Sequence, residues 1–513
     1  KGRGEEMRGG SRRYILVGLL LAMFMTAIEA TIVATAMPTV IGALGGFALY
    51  SWVFAIYLLT QAATIPLYGK LADIYGRKPV LIVGTVLFLI GSALSGQARS
   101  MLQLIIFRAL QGLGAGAVQP ITQTIVGDLW GLEERAKIQG YLSGVWGISS
   151  VLGPTLGGLL VTYAGWPWVF YVNVPLGLIV IGLIGRFLHE EVERQAHRVD
   201  YLGSVLLFLT VSLLIVSIVQ GGVGWGWGSP ISLALGAAVL AGSCLFVLRE
   251  RRAAEPVLPL ALLGRRMIAV ADLGTFLAGV LTLGTSSTIP TYVQGVLQQS
   301  PLVAGLALGT QSIGWPLASW LSGRLMLRFG FRNTALAGTL FNLAGALTYW
   351  TASPQSSPAF IALGSFIMGI GLGLTATTYL IAIQNSVSWE QRGVATGSNA
   401  FGRMLGSTLG VAILGGLLNG RLAAWLQAHG TAQLHALGSD AGNVLLNPAG
   451  QAQLPAGELL LLREGFDAAA HSLFLGLAIV SIAALVTAAL LPRWLESPAP
   501  DHGAKVGGQA GDE

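Results

Sequence analysis

Fourteen stretches of this chain are about twenty residues long, almost wholly apolar and nearly free of charge. A run of that length crosses the hydrocarbon core of a bilayer as a helix. In lipid each backbone polar group must be satisfied within its own segment, which leaves helices as the default spanning structure. The chain is therefore expected to be an all-α polytopic membrane protein. The runs fall near 14–38, 50–69, 79–97, 102–127, 137–161, 167–188, 200–220, 231–248, 267–291, 302–323, 333–351, 359–383, 393–417 and 467–491. Composition agrees with this. Of 513 residues 53% are hydrophobic and 10% charged, against about 25% charged in a soluble domain.

An even number of spans puts both termini on one side. Charge says which. Arg12, Arg13, Lys70, Arg77, Lys78, Arg135, Lys137, Arg265, Arg266, Arg324, Arg328, Arg332 and Arg392 all fall at one end of the spans, whereas Arg99, Arg421 and Arg463 fall at the other. Basic loops stay in the cytoplasm, so the termini and the basic end are expected there. The net charge of +6 follows from this topology, and nucleic acid is not an expected partner. The single cysteine, Cys244, allows no disulfide within the chain. No cofactor is expected.

The chain repeats itself. "GKLADIYGRK" (69–78) is echoed by "GRLMLRFGFR" (323–332), at an offset of 254. "GLGAG" (112–116) is echoed by "GIGLG" (369–373), and "RAKIQG" (135–140) by "RGVATG" (392–397), both at 257. Each echo falls at the same point of a span. Two parallel six-helix halves follow. The offset is longer than six spans need, and the surplus holds two inserted spans. The expected division is a tail at 1–13, a first bundle at 14–190, a linker with the inserted spans at 191–262, a second bundle at 263–492 with an external loop at 418–466, and a polar, Gly/Pro-rich tail at 493–513.

The 69–79 stretch resembles the signature loop between spans 2 and 3 of the major facilitator superfamily. "RALQGLGAG" (108–116) resembles its span-4 motif. "GISSVLGPTLGG" (147–158) resembles the span-5 antiporter motif associated with exporters. "IEATIVATAMP" (28–38), "WPWVFYVNVPLG" (166–177), "SPLVAGL" (300–306) and "NAFGRMLGSTLGVA" (399–412) resemble motifs of the fourteen-span drug/proton antiporter branch. The resemblance implies the major facilitator fold, two six-helix bundles plus two inserted helices, and proton-driven export from a bacterium across its inner membrane. Two departures stand out: Ile74 occupies a place where a basic residue is usual, and Glu29 and Ala34 stand where Asp and Asn are usual.

Charge inside or beside the spans carries the candidate chemistry. Asp73 and Arg77 can form a breakable ion pair at the cytoplasmic ends of spans 2 and 3, and Asp73 can also face the positive N-terminus of a helix starting near Gly393. Gly69 and Gly76 allow close approach and a sharp turn. With Lys78 and Asp128 they form the expected gate, although Asp128 would serve equally as a simple cap. Glu29 lies about 22 Å along span 1. A carboxylate there must be paired, hydrated or neutralised, which makes it the first choice for a proton or substrate carboxylate. Arg108 is expected at a comparable depth, either pairing with Glu29 or bonding backbone carbonyls. Arg403 is its counterpart in the second half, to pair with an acid or to meet an anionic substrate group. Asp272 is either a second titratable site or a partner of Arg265 or Arg266.

By the resemblance, Gly147, Gly153, Pro154, Gly157 and Gly158 bring helix backbones together and seal the halves against leak. Trp146, Phe276, Trp315, Tyr379 and Phe401 are aromatic candidates for a cavity that stacks flat, cationic compounds, and Gln61, Gln119 and Asn385 are polar candidates. The expected partners are a proton gradient, small amphipathic or cationic substrates and the lipid bilayer, with a periplasmic adaptor as an open option. A dedicated metabolite, siderophore, sugar or lipid exporter on the same fold is the alternative. A non-transporting scaffold gains nothing from buried charge. No G-x-x-x-x-G-K-[ST] loop is present, which argues against an ATP-driven pump.

Overall fold

A computed structural model describes residues 9–44, 50–190, 200–220, 226, 228–253, 256, 260–437, 441–446, 451 and 454–493. The expected tails before Gly9 and after Arg493, and the start of the linker at 191–199, lie outside the described residues. The described residues are helical with no strands. The first half comprises α1 (Gly9–Leu44), α2 (Tyr50–Tyr75), α3 (Arg77–Ser95), α4 (Met101–Leu129), α5 (Leu132–Tyr163), the short α6 (Trp168–Tyr171) and α7 (Asn173–Phe187). Two helices follow, α8 (Tyr201–Gln220) and α9 (Pro230–Glu250). The second half comprises α10 (Leu260–Leu263), α11 (Arg266–Gly295), α12 (Pro301–Gly309), α13 (Gln311–Trp350), α14 (Pro358–Asn385), α15 (Arg392–His429), α16 (Ala432–Leu437), α17 (Ala441–Leu446) and α18 (Ala456–Leu490).

Local chemistry sets many of these ends. α9, α12 and α14 each open on Ser-Pro. The hydroxyls of Ser229, Ser300 and Ser357 accept from the N–H groups of Ser232, Val303 and Phe360, while the proline takes a position that needs no N–H. Gly76 ends α2 at φ 93° and Gly330 bends α13 at φ 81°, a left-handed backbone that glycine adopts without a Cβ clash.

Ten described helices are long and apolar enough to cross a membrane. α5, α8, α12 and α13 occupy the places of the four other expected spans. Gly330 divides α13 between the expected runs 302–323 and 333–351. The first of these runs is interrupted at Thr310, whose hydroxyl donates to the Ala362 carbonyl at 2.6 Å. Three boundaries differ from expectation. α1 begins at Gly9, inside the expected tail. α15 continues to His429, and α18 starts at Ala456, so "RLAAWLQAHG" and "GELLLLREGF" are extensions of long helices and not separate surface helices in a loop. The cause is packing. Leu418, Leu422 and Leu426 recur every four residues and join the core of the second half, where Gly465 of α18 lies against the Trp425 ring.

The halves meet through two related seams. On one, α2 packs on α15, with Gly69 against the Gly393 backbone. On the other, α5 packs on α13, with Gly323 against Ala136 and Glu133. Gly69 and Gly323 are the same position of the repeat, as are Gly393 and Ala136. α8 lies across the first seam: its Leu207, Val211 and Ile215 pack with Leu59, Ala62 and Ala63 of α2 and with Val394 of α15. Large apolar side chains such as Leu102, Ile148 and Leu240 face outward, as lipid-facing positions do.

Candidate functional site: a latch and buried charges

The signature stretch builds a latch between the halves. Asp73 accepts from the N–H groups of Gly393 and Val394 at 2.8 and 2.7 Å, so its carboxylate caps the positive end of α15. Its Oδ1 also lies 3.1 Å from Arg77 Nη2. Arg77 is buried and donates further to Asp128 Oδ2 (3.0 Å), the Ala72 carbonyl (3.1 Å) and the Trp389 carbonyl (2.5 Å). Its guanidinium carbon stands 3.9 Å above the Trp389 ring. The second oxygen of Asp128 accepts from Arg392 at 2.5 Å, across the seam. Asp128 thus links two guanidiniums from opposite halves. Lys78 donates to the Gly185 carbonyl at 2.7 Å, and Glu190 accepts the N–H groups of both Arg77 and Lys78 at 3.0 Å.

Sequence reasoning missed Arg392, Trp389, Glu190 and Arg135. Their contacts join positions far apart in the chain, and charge alone did not single them out from the other basic-end residues. Asn385, an expected cavity residue, belongs to this latch: its Oδ1 accepts from Arg135 at 2.7 Å. It sits at the end of α14 because that helix stops on the seam.

A second cluster lies inside the first half. Glu29 of α1 is fully buried and pairs with Arg108 of α4. Its other oxygen accepts from Asn173 at 2.5 Å, and Asn173 also donates to Ser92 at 3.0 Å. Arg108 donates to Gln111 Oε1 (2.8 Å) and the Val53 carbonyl (3.3 Å), and lies 4.2 Å above the Tyr57 ring. Both alternatives for Arg108 are therefore realised at once. Gln111 and Asn173 lie within the 108–116 and 166–177 motifs, but nothing in their spacing marks them as partners of this pair.

In the second half Asp272 of α11 accepts from Ser398 (2.9 Å) and Asn399 (3.2 Å) of α15. It does not pair with Arg265 or Arg266. Those donate to the Ser386 and Leu490 carbonyls at helix ends, which keeps their charge outside the bundle. Arg403 makes no ion pair or hydrogen bond among the described residues.

The remaining candidates divide. Gly147 lies 3.1 Å, from where its Cβ would be, to Ser312 of α13, and Gly153 abuts Thr31 of α1. Gly157 is buried. Gly158 has nothing within 4 Å, so it brings no backbones together. The Pro154 side chain lies outside the described residues. Trp146 is 41% exposed, and Gln61 and Gln119 are half-buried. Phe276 and Trp315 pack partly on the second-half core. The other two aromatics pack against neighbouring helices. Tyr379 is wedged against Gly274 between α14 and α11, where the missing side chain leaves room for the ring, and the half-buried Phe401 packs with the α2–α8 cluster.

Residues 19–411 match the family model described as Major Facilitator Superfamily. The chain is 34% identical over 417 residues to the "Multidrug transporter protein MdtP" of Bacillus subtilis, covering 81% of this chain and 77% of that protein. It is 36% identical over 405 residues to "Multidrug resistance protein 3" of the same organism, covering 79% of each. In fold it is similar to the crystal structure of the human organic anion transporter MFSD10 (TETRAN), with a TM-score of 0.62, 15% identity, and 93% of this chain and 99% of that one covered. With an all-helical, repeated architecture of membrane-length helices and multidrug transporters among its relatives, this chain belongs to the Major Facilitator Superfamily.

Proposed function

We propose that the chain is a proton-coupled antiporter of the fourteen-span drug/proton branch. It exports small amphipathic compounds across the bacterial inner membrane by alternating access, with the basic end and both termini in the cytoplasm. The observation that carries this reading is Glu29, an acid with no exposed surface whose oxygens are held by Arg108 and Asn173. A carboxylate placed at such depth is costly unless paired, and an acid held by a partner that can let go is suited to carrying a proton. Protonation removes its attraction for Arg108 and frees that guanidinium.

The latch supplies the other half of the cycle. Asp73, Arg77, Asp128 and Arg392 hold the basic end closed through hydrogen bonds that can be exchanged for water. Such contacts are strong enough to define a closed state and weak enough to open without new covalent chemistry. Positive loop charge supports the orientation, and the names of the multidrug relatives support the substrate class.

The test is dye efflux from proteoliposomes under an imposed pH gradient, comparing the native chain with Glu29→Gln. Loss of gradient-driven efflux with unchanged folding is expected. Full efflux by the variant would move the proton site elsewhere.

A further inference from the structure

The contacts of α15 fix where Arg403 points. Gly402 and Gly406 turn toward the Asp272 and Phe276 carbonyls of α11. Gly397 turns to the α2 backbone, and Phe401 and Met404 pack on the α2–α8 cluster. Gly279 of α11 abuts the Arg403 backbone, and at about 100° per residue Arg403 leaves α15 at the edge of the α11 face, on the side away from Phe401. The same offset that pairs Gly140 with Gly397 pairs Arg403 with Trp146, so the repeat counterpart of Arg403 is Trp146 and not, as expected, Arg108. Trp146 holds the corresponding place on α5, where Gly140 and Gly147 pack on α13, and it is 41% exposed. The repeat therefore sets a cation and an aromatic ring at equivalent positions of the two halves.

The acids buried within α1 and α11 both have hydrogen-bond partners. Asp272 is held by Ser398 and Asn399, and Glu29 by Arg108 and Asn173. An arginine inside a membrane bundle normally has a partner, and Arg403 has none among the described residues. We infer that the missing partner is the substrate: the site takes flat aromatic compounds that carry a carboxylate or sulfonate, with the acid group on Arg403 and the ring on Trp146. Guanidinium binds such groups through two parallel N–H bonds. The direction of transport in this inference rests on the export reading, whereas binding rests on geometry alone.

The two are separated by one set of probes: 1-pyrenebutyrate, its methyl ester and the matching pyrenebutyl-trimethylammonium ion. Binding to the purified full chain in nanodiscs is read by pyrene fluorescence, and movement is read in proteoliposomes under a pH gradient. The native protein is expected to bind the carboxylate about tenfold more tightly than the ester, and the ammonium ion most weakly. Arg403→Gln erases the preference for the carboxylate and leaves the ester unchanged. Arg403→Lys restores part of it, and Trp146→Ala weakens all three alike. The inference is overturned if the native protein prefers the ammonium ion or the ester, a result that needs no variant to fold. It is also overturned if Arg403→Gln weakens the three probes equally, as a structural or coupling arginine would. Charge-selective binding without gradient-driven movement would uphold it and remove the export reading instead.

Discussion

Gly76 and Gly330, 254 residues apart, hold the same left-handed backbone, with φ of 93° and 81°. Each stands at the turn between the second and third helices of its half. The repeat is therefore preserved where the chain has least freedom. With ψ of 157° and 170° this is a backbone open essentially to glycine, where a side chain costs about 1–3 kcal/mol. Gly330→Ala meets a second obstacle, the Arg493 carbonyl. Both alanine variants are expected to lower the thermal midpoint in detergent, Gly330→Ala by more, whereas Gly158→Ala, with open space around it, leaves it unchanged. Equal midpoints for all three would contradict the assignment.

The Glu29–Arg108 pair predicts a non-additive stability cycle. Removing one partner of a buried pair leaves the other charged and unsatisfied, at about 3–5 kcal/mol. Arg108→Gln alone should therefore destabilise more than Arg108→Gln combined with Glu29→Gln. Thermal unfolding of the two single variants and the double variant measures this, and simple additivity of the losses would remove the pairing.

The latch predicts a shift in conformation. Asp73→Asn keeps the shape of the side chain and removes the charge that α15 and Arg77 attract. A charge-assisted hydrogen bond contributes about 1.5–3 kcal/mol, enough to move a closed gate toward opening by roughly tenfold or more. Spin labels on the basic ends of α2 and α15 should show longer distances in the variant. Asn385→Ala, which releases only Arg135, should give a smaller change in the same direction. Unchanged distances in both would show that the seam is held by packing at Gly69 and Gly393 alone.

Much of the architecture is legible in the chain because lipid imposes it. Apolar length marks the helices, and the echoes at Gly69, Gly112 and Arg135 mark the repeat. Asp73 could be placed against the start of α15 because both ends fall on the same side of the spans. The limits are equally physical. Asn173 and Glu29 are 144 residues apart, and no periodicity links them. Arg392 looked like one more basic-end charge until α15 brought it to Asp128. Asn385 looked like a polar group within an apolar run, but the end of α14 lies on the seam. The extension of α15 was signalled by Leu418, Leu422 and Leu426, whose four-residue spacing is helical, but the polar residues between them resembled a loop.

The central claim is that a buried acid couples hydrogen ions to the tilting of the two halves. It is tested most directly by following protons themselves. Proteoliposomes of known orientation, with a trapped pH-sensitive dye and no imposed gradient, receive a transported compound on the basic side. The account predicts proton movement opposite to the compound in the native protein and none in Glu29→Gln. Proton movement of equal size in the variant, or transport by the native protein with no proton movement at all, would contradict it.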